Sequence, residues 1–232
     1  MDFDFKNEFY ATRGDDLYLV ADGVVLDKEY GVGSRGKRGL VHNVGVNDWK
    51  YSVGNRGSMS LAYSVWSGIL QRCYSKQQET KYPSYRGCTV SEDWKSFSSF
   101  LHFYLPLAKI DWQVDKDILI CGNKLYSSET CLLVPAWVNT LTLNRASRKG
   151  VLPQGICLNK KNYQVQCSFG KSKPEYLGTY KNLDNALEVY ARAKQNHIES
   201  MRVELDAVGR HNNLGGSLCD IILSNLQRSI KN

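Results

Sequence analysis

Cysteine and histidine are the side chains in this chain best suited to metal or thiol chemistry, and their spacing limits both. The seven cysteines stand at positions 73, 88, 121, 131, 157, 167 and 219. None forms the close CxxC pair that a structural zinc site normally uses. The four histidines, His42, His102, His197 and His211, are far apart, so a His/Cys metal cluster is not expected. Cys121 and Cys131, and likewise Cys157 and Cys167, are ten residues apart and could meet across hairpins. A metal or disulfide is one reading of those pairs; buried thiols in a reducing cytosol is the other. There is no GxSxG elbow, and Gly31-Val32-Gly33 lacks the Lys-Ser/Thr and helix of a phosphate-cradling loop.

The chain behind these residues has 232 amino acids, 42% of them apolar and 11% aromatic. That is enough for one or two domains with a real core and too aromatic for a chain that stays solvated. No run of 18 or more uncharged apolar residues suggests a membrane span, and Met1–Phe5 lacks the basic start of a secretory signal. The net charge of +7 is uneven. Residues 1–29 carry eight acids and three bases, or −5, which leaves 27 bases and 15 acids, or +12, on the rest. A basic body points to a polyanionic partner.

The spacing of apolar residues sets the expected elements. Leu17–Val20 and Val24–Leu26 around Asp22-Gly23 predict a hairpin. From Gly31 to Gly57, seven glycines lie among Arg35, Lys37, Arg38, Lys50 and Arg56, a stretch suited to tracking phosphates or to serving as a solvated linker. Leu61, Tyr63, Val65, Trp66, Ile69, Leu70 and Cys73 recur at helical spacing. A breaker follows at 81–87, and a second helix is expected from Ser91 through Tyr104, with Glu92 and Asp93 in its first turn. Residues 112–141 read as strand, turn, strand and helix, with Pro135 at the helix start. Strands are expected around 155–158, 163–169 and 176–180, then a long helix to 208. A break at 209–216 precedes a last amphipathic segment.

Three stretches together resemble phage-encoded HNH-type, homing-endonuclease-like proteins that carry an AP2-like DNA-binding domain. The first is Trp66, Arg72-Cys73-Tyr74, Tyr82-Pro83-Ser84-Tyr85, Val90 and Trp94 with Phe97 and Phe100. The second is Val114-Asp115-Lys116-Asp117-Ile118-Leu119, Gly122-Asn123-Lys124, Tyr126-Ser127, Glu129-Thr130-Cys131, Val134-Pro135 and Asn139. The third is Gly155-Ile156, Tyr163-Gln164-Val165, Gly170-Lys171, Leu177-Gly178-Thr179-Tyr180, Ala186, Tyr190 and Ala193-Lys194. The resemblance spans roughly residues 31–200.

It implies an α+β chain. Residues 1–58 would be an acidic leader and basic arm, 59–146 an HNH-like ββα-metal core with a helical lead-in, 147–208 an AP2-like three-stranded antiparallel sheet with its helix, and 209–232 a C-terminal helix. By position, Asp115 and Asn139 match the ligands of a Mg²⁺ or Mn²⁺ ion, and Thr130 and Asn123 match structural positions of the loop. Lys116 stands where the family's general-base histidine would be. Free lysine, with a pKa of about 10.4, is charged and accepts no proton, so Lys116 would hold a phosphate oxygen while Asp117 or a metal-bound hydroxide activates water. In the AP2-like part, Arg145, Arg148, Lys160, Lys161, Gln164, Gln166, Lys171 and Lys173 are the candidate DNA contacts. Gln164 and Gln166 would share one strand face, opposite Tyr163, Val165 and Cys167, and leave a polar, basic surface for duplex DNA.

Two functions follow from the resemblance and stay open at this point. One is metal-dependent nicking or cleavage of duplex DNA. The other is a catalytically inactive relative that binds a host defence protein or regulates through DNA. Either would act in the cytoplasm of an infected bacterial host.

Overall fold

The computed structural model describes residues 4–5, 10–13, 16–21, 24–29, 39–49, 54–55, 58–59, 61–109, 111–142, 152–169 and 173–231. It is a mixed α+β chain whose contacts divide it into two units, Met1–Leu133 and Val134–Asn232. The division falls inside the stretch expected to be one ββα domain.

The first unit begins with an antiparallel sheet of β1 (Asp4–Phe5), β2 (Tyr10–Arg13), β3 (Asp16–Ala21) and β4 (Val24–Glu29), in that spatial order. Ala21 stands opposite Val24, as the expected hairpin requires; the Asp22-Gly23 turn itself lies outside the described residues. Two short strands, β5 (Gly54–Asn55) and β6 (Ser58–Met59), pair with each other. α1 (Leu61–Tyr74) follows and buries Ala62, Trp66, Ile69, Leu70 and Cys73 along one stripe. The Trp66 indole N–H is satisfied by the Trp94 carbonyl at 2.7 Å, which lets a large polar-tipped ring sit fully buried.

The basic, glycine-rich stretch is in part a piece of this core. Gly45 lies so close to α1 that a Cβ there would stand 2.8 and 2.9 Å from the Trp66 ring. Only glycine allows the chain to pass. Three residues on, Asp48 accepts the Ser98 amide at 2.9 Å and the Ser96 hydroxyl at 2.7 Å. These contacts explain where the Phe-rich helix starts. The sequence predicts a start at Ser91, but α3 spans Phe97–Tyr104, with Ser96 as N-cap accepting the Ser99 amide. Asp93–Lys95 form a separate 3₁₀ turn. Between α1 and α3 lie α2 (Lys76–Lys81), a 3₁₀ turn at Pro83–Tyr85 and the strand β7 (Thr89–Val90).

The strand–turn–strand expectation is met, with one further short strand inserted in the turn region. β8 (Trp112–Asp115) pairs with β10 (Leu132–Pro135), a strand that runs across the unit boundary, whereas β9 (Leu125–Tyr126) pairs in parallel with β7. Residues 116–131 therefore form a long connection pinned to the core by the pairing of β9 with β7.

In the second unit α4 (Ala136–Thr142) follows Pro135 directly. β11 (Ile156–Asn159), β12 (Asn162–Cys167) and β13 (Glu175–Tyr180) form an antiparallel sheet in sequence order. α5 (Leu183–Ser200) packs on it, capped by the Asn182 side chain, which accepts the Asp184 amide at 2.7 Å. The expected long helix breaks at Met201, earlier than predicted. α6 (Arg202–His211) and α7 (Leu218–Lys231) then pack with α5 around Ile198, Leu205, Leu218, Cys219 and Ile222. Arg202 fixes the corner by donating to both Glu199 oxygens and to Asp220, the last at 2.8 Å. Among the described residues no helix is long and apolar enough to cross a membrane.

Candidate functional site

The connection after β8 gathers the residues that resemble a nuclease centre, and each has a partner within the protein. The Asp115 carboxylate oxygen Oδ1 accepts the amides of Asp117 and Ile118 at 2.8 and 2.9 Å. This local turn reverses the chain and drives Ile118 into the interior. Burial pushes the Asp115 carboxyl above its ordinary value, although the two amides oppose the shift.

Lys116 points inward. It is 6% exposed, and its ammonium donates to Asp117 Oδ1 and to the Asn123 carbonyl, both at 2.6 Å. The same group lies 5.9 Å from the centre of the buried Tyr126 ring. Asn123 closes the circuit: its amide donates to the carbonyls of Lys116 and Leu125, and its oxygen accepts the Leu125 amide. Thr130 donates to the Leu125 carbonyl at 2.7 Å and meets the Ser127 hydroxyl at 3.1 Å. Lys116 is thus the hub of a loop brace and is itself buried.

Asn139 lies half-buried on α4, in the second unit, and its carbonyl accepts the Thr142 hydroxyl. One oxygen of Asp115 is taken by two amides, and Asp117 is held by Lys116. Among the described residues no group of three His, Cys, Asp or Glu side chains is placed to hold a metal.

The sheet of the second unit has the opposite character. Ile156, Val165 and Cys167 are buried against Ala186 and Tyr190 of α5, with Tyr163, Leu177 and Tyr180 alongside. Gly155, at φ +80°, lets Tyr190 approach where a Cβ would collide with its ring. The alternate residues form the other face. Cys157, Gln164 and Thr179 stand in one row across the three strands, and Gln166 faces Tyr176. Cys157, Gln166, Tyr176 and Thr179 are exposed and Gln164 is half-buried. The Tyr176 hydroxyl bonds Thr179 at 2.7 Å, and the Cys157 thiol donates to Gln164 Oε1 at 3.7 Å.

The expected basic face is neutral along its strands; its cations sit at the ends. Lys160 and Lys161 form the two-residue turn between β11 and β12, and Lys181 follows β13 at the same end, because Tyr163 pairs with both Leu158 and Tyr180. Lys160 holds a left-handed backbone, φ +57°, that glycine adopts freely and most side chains resist. Lys173 is exposed ahead of β13. Arg145, Arg148 and Lys171 lie outside the described residues. Cys157, Tyr176, Thr179 and Lys181 complete this surface and were not among the expected DNA contacts; strand alternation about Gln164 is the signal that finds them.

Neither cysteine pair meets. All seven thiols are free, with Cys121 and Cys157 exposed and the other five buried. Cys157 lies on the open face and Cys167 on the helix face of one sheet. Burial pushes the Cys73 and Cys131 thiols up to about 12, so both are inert at neutral pH. The histidines are scattered: His42 contacts the Ser67 hydroxyl, His102 is exposed on α3, and His197 packs on Phe169, its pKa lowered first by burial and then by nearby Lys194.

No protein-family model matches the chain, and neither a curated protein nor a solved structure is similar enough to match it.

Proposed function

We propose that this chain is a duplex-DNA-binding protein that reads DNA with the open face of β11–β13, and that Asp115 with the 116–131 connection is a structural brace rather than a catalytic centre. The observation that carries this is the division of the sheet. One face is consumed by α5, whereas the other presents Gln164, Gln166, Tyr176 and Thr179 outward with Lys160, Lys161 and Lys181 at its rim. Amide and hydroxyl groups suit base edges in a major groove, and rim lysines suit the flanking phosphates. The buried, doubly bonded Lys116 supports the second half of the proposal.

Two measurements test it. Duplexes selected from a random pool should bind the full chain. Replacing Lys160 and Lys161 by Ala should reduce the slope of log affinity against log salt by about two, as for two lost phosphate contacts. An unchanged slope removes the sheet end from the interface. Incubation of plasmid with Mg²⁺ or Mn²⁺ should leave it intact. Nicking that disappears in Asp115→Ala would overturn the brace and restore Asp115 and Asn139 as metal ligands.

A further inference from the structure

In the first unit the turn after α2 brings an exposed tyrosine, a half-buried one and several cations together. Tyr82 is 43% exposed, and its ring meets that of Tyr85 edge-on, with centroids 6.3 Å apart. The Lys81 ammonium lies 5.2 Å from the Tyr82 ring, and the Arg72 guanidinium of α1 lies 6.0 Å from the Tyr85 ring. Lys124 reaches from the 122–125 turn to donate to the Ser84 carbonyl at 2.7 Å, placing a third cation beside the tyrosines. Arg86, exposed, follows directly. Among the described residues the ion pairs all involve other cations, and Glu79 is the single acid between 76 and 90.

The local physics does not account for this grouping. Exposed cation–π contacts contribute only about 0.5–1 kcal/mol each. Four like charges around one turn repel one another where they lie within the Debye length of about 8 Å. A polyanion relieves that repulsion, and the rings narrow its identity: an exposed tyrosine offers a stacking surface to a base that is not already stacked in a duplex.

We propose that Tyr82 and Tyr85, with Arg72, Lys81, Arg86 and Lys124, bind single-stranded nucleic acid, a base stacking on Tyr82 and the neighbouring phosphates meeting the cations. All six residues belong to the first unit, and the proposal does not depend on the duplex reading.

The test is fluorescence anisotropy of the full chain with labelled oligo-dT and oligo-rU of about 12 nucleotides, within the range one such platform covers. At least one should bind, and the tighter arm tells DNA from RNA. Tyr82→Ala should weaken binding roughly tenfold, the size of a lost stacked base, and Tyr82→Phe should retain it. Lys81→Ala with Lys124→Ala should lower the salt slope by about 0.7 per cation. Because Lys124 also ties the turn, far-UV circular dichroism accompanies each variant, and the Lys81→Ala slope alone decides if the double variant is misfolded. No binding by the wild-type chain, wild-type affinity in Tyr82→Ala, or loss of single-strand binding in Gln164→Ala/Gln166→Ala alone would each overturn the site.

Discussion

The connection 116–131 and the open face of β11–β13 are both rich in polar groups capable of chemistry, and they use them in opposite directions. In the connection, Asp115, Lys116, Asn123 and Thr130 are spent on backbone groups and on Asp117. On the sheet, the backbone is already satisfied by strand pairing, so Gln166, Tyr176 and Thr179 face outward beside the half-buried Gln164, and the side-chain bonds of Tyr176 to Thr179 and of Cys157 to Gln164 lie within that face. A loop without regular pairing must recruit side chains to satisfy its amides and carbonyls, because an unmet buried polar group costs about 1–3 kcal/mol. A sheet makes no such demand. Residue type alone therefore says little about whether a side chain is available to a ligand.

Breaking the hub gives the largest expected effect. Lys116→Ala strands the Asn123 carbonyl and leaves a void beside Tyr126. Urea denaturation should report a loss of about 2–4 kcal/mol. A loss under about 0.5 kcal/mol would mean that the amine is not the brace described here.

The sheet face should answer in the reverse sense. Gln164→Ala with Gln166→Ala is expected to change stability by less than about 0.5 kcal/mol while weakening duplex binding roughly tenfold or more. A large stability loss with unchanged binding would erase the contrast between the two regions.

A smaller effect is expected at the hairpin tip. Lys160→Gly relieves the left-handed strain at that position and should raise stability by about 1 kcal/mol while lowering duplex affinity. A gain in stability with no loss of binding would make Lys160 a bystander.

Acidification separates two carboxylates of the first unit with opposite signs. Burial raises Asp48, but bonds from Ser96 and Ser98 outweigh it and hold the carboxyl below its ordinary 3.8. Its stabilising contribution is present above that value and is lost as pH falls through the lowered one. Asp115 is shifted upward, chiefly by burial, so it favours the folded state below 3.8, and that contribution fades as pH rises through its raised value. Asp115→Asn keeps an oxygen for the two amides. Thermal melts should show it at least as stable as wild type at neutral pH, and Asp48→Asn should flatten the acid limb. A Mg²⁺-dependent stabilisation present in wild type and absent in Asp115→Asn would return a cation to this loop.

The sequence by itself determined the elements whose periodicity is strong. The spacing of Trp66, Ile69, Leu70 and Cys73 specifies α1, and the alternation from Tyr163 to Cys167 specifies β12 and the side on which α5 packs. The hairpin of β3 and β4 was equally legible, because each of these signals is local. Long-range contacts decided the rest. The start of α3 depends on Asp48, fifty residues before Ser98. The seating of the glycine-rich stretch depends on Gly45 against Trp66. The pairing of β8 with β10, and of β9 with β7, cannot be read from strand propensity, which is blind to partner. The orientation of Lys116 belongs to the same class. Sequence places a charged amine between two aspartates in a loop, whereas the fold supplies the Asn123 carbonyl and the Tyr126 ring that draw it inward, because a buried ammonium is stable only where other groups replace its water.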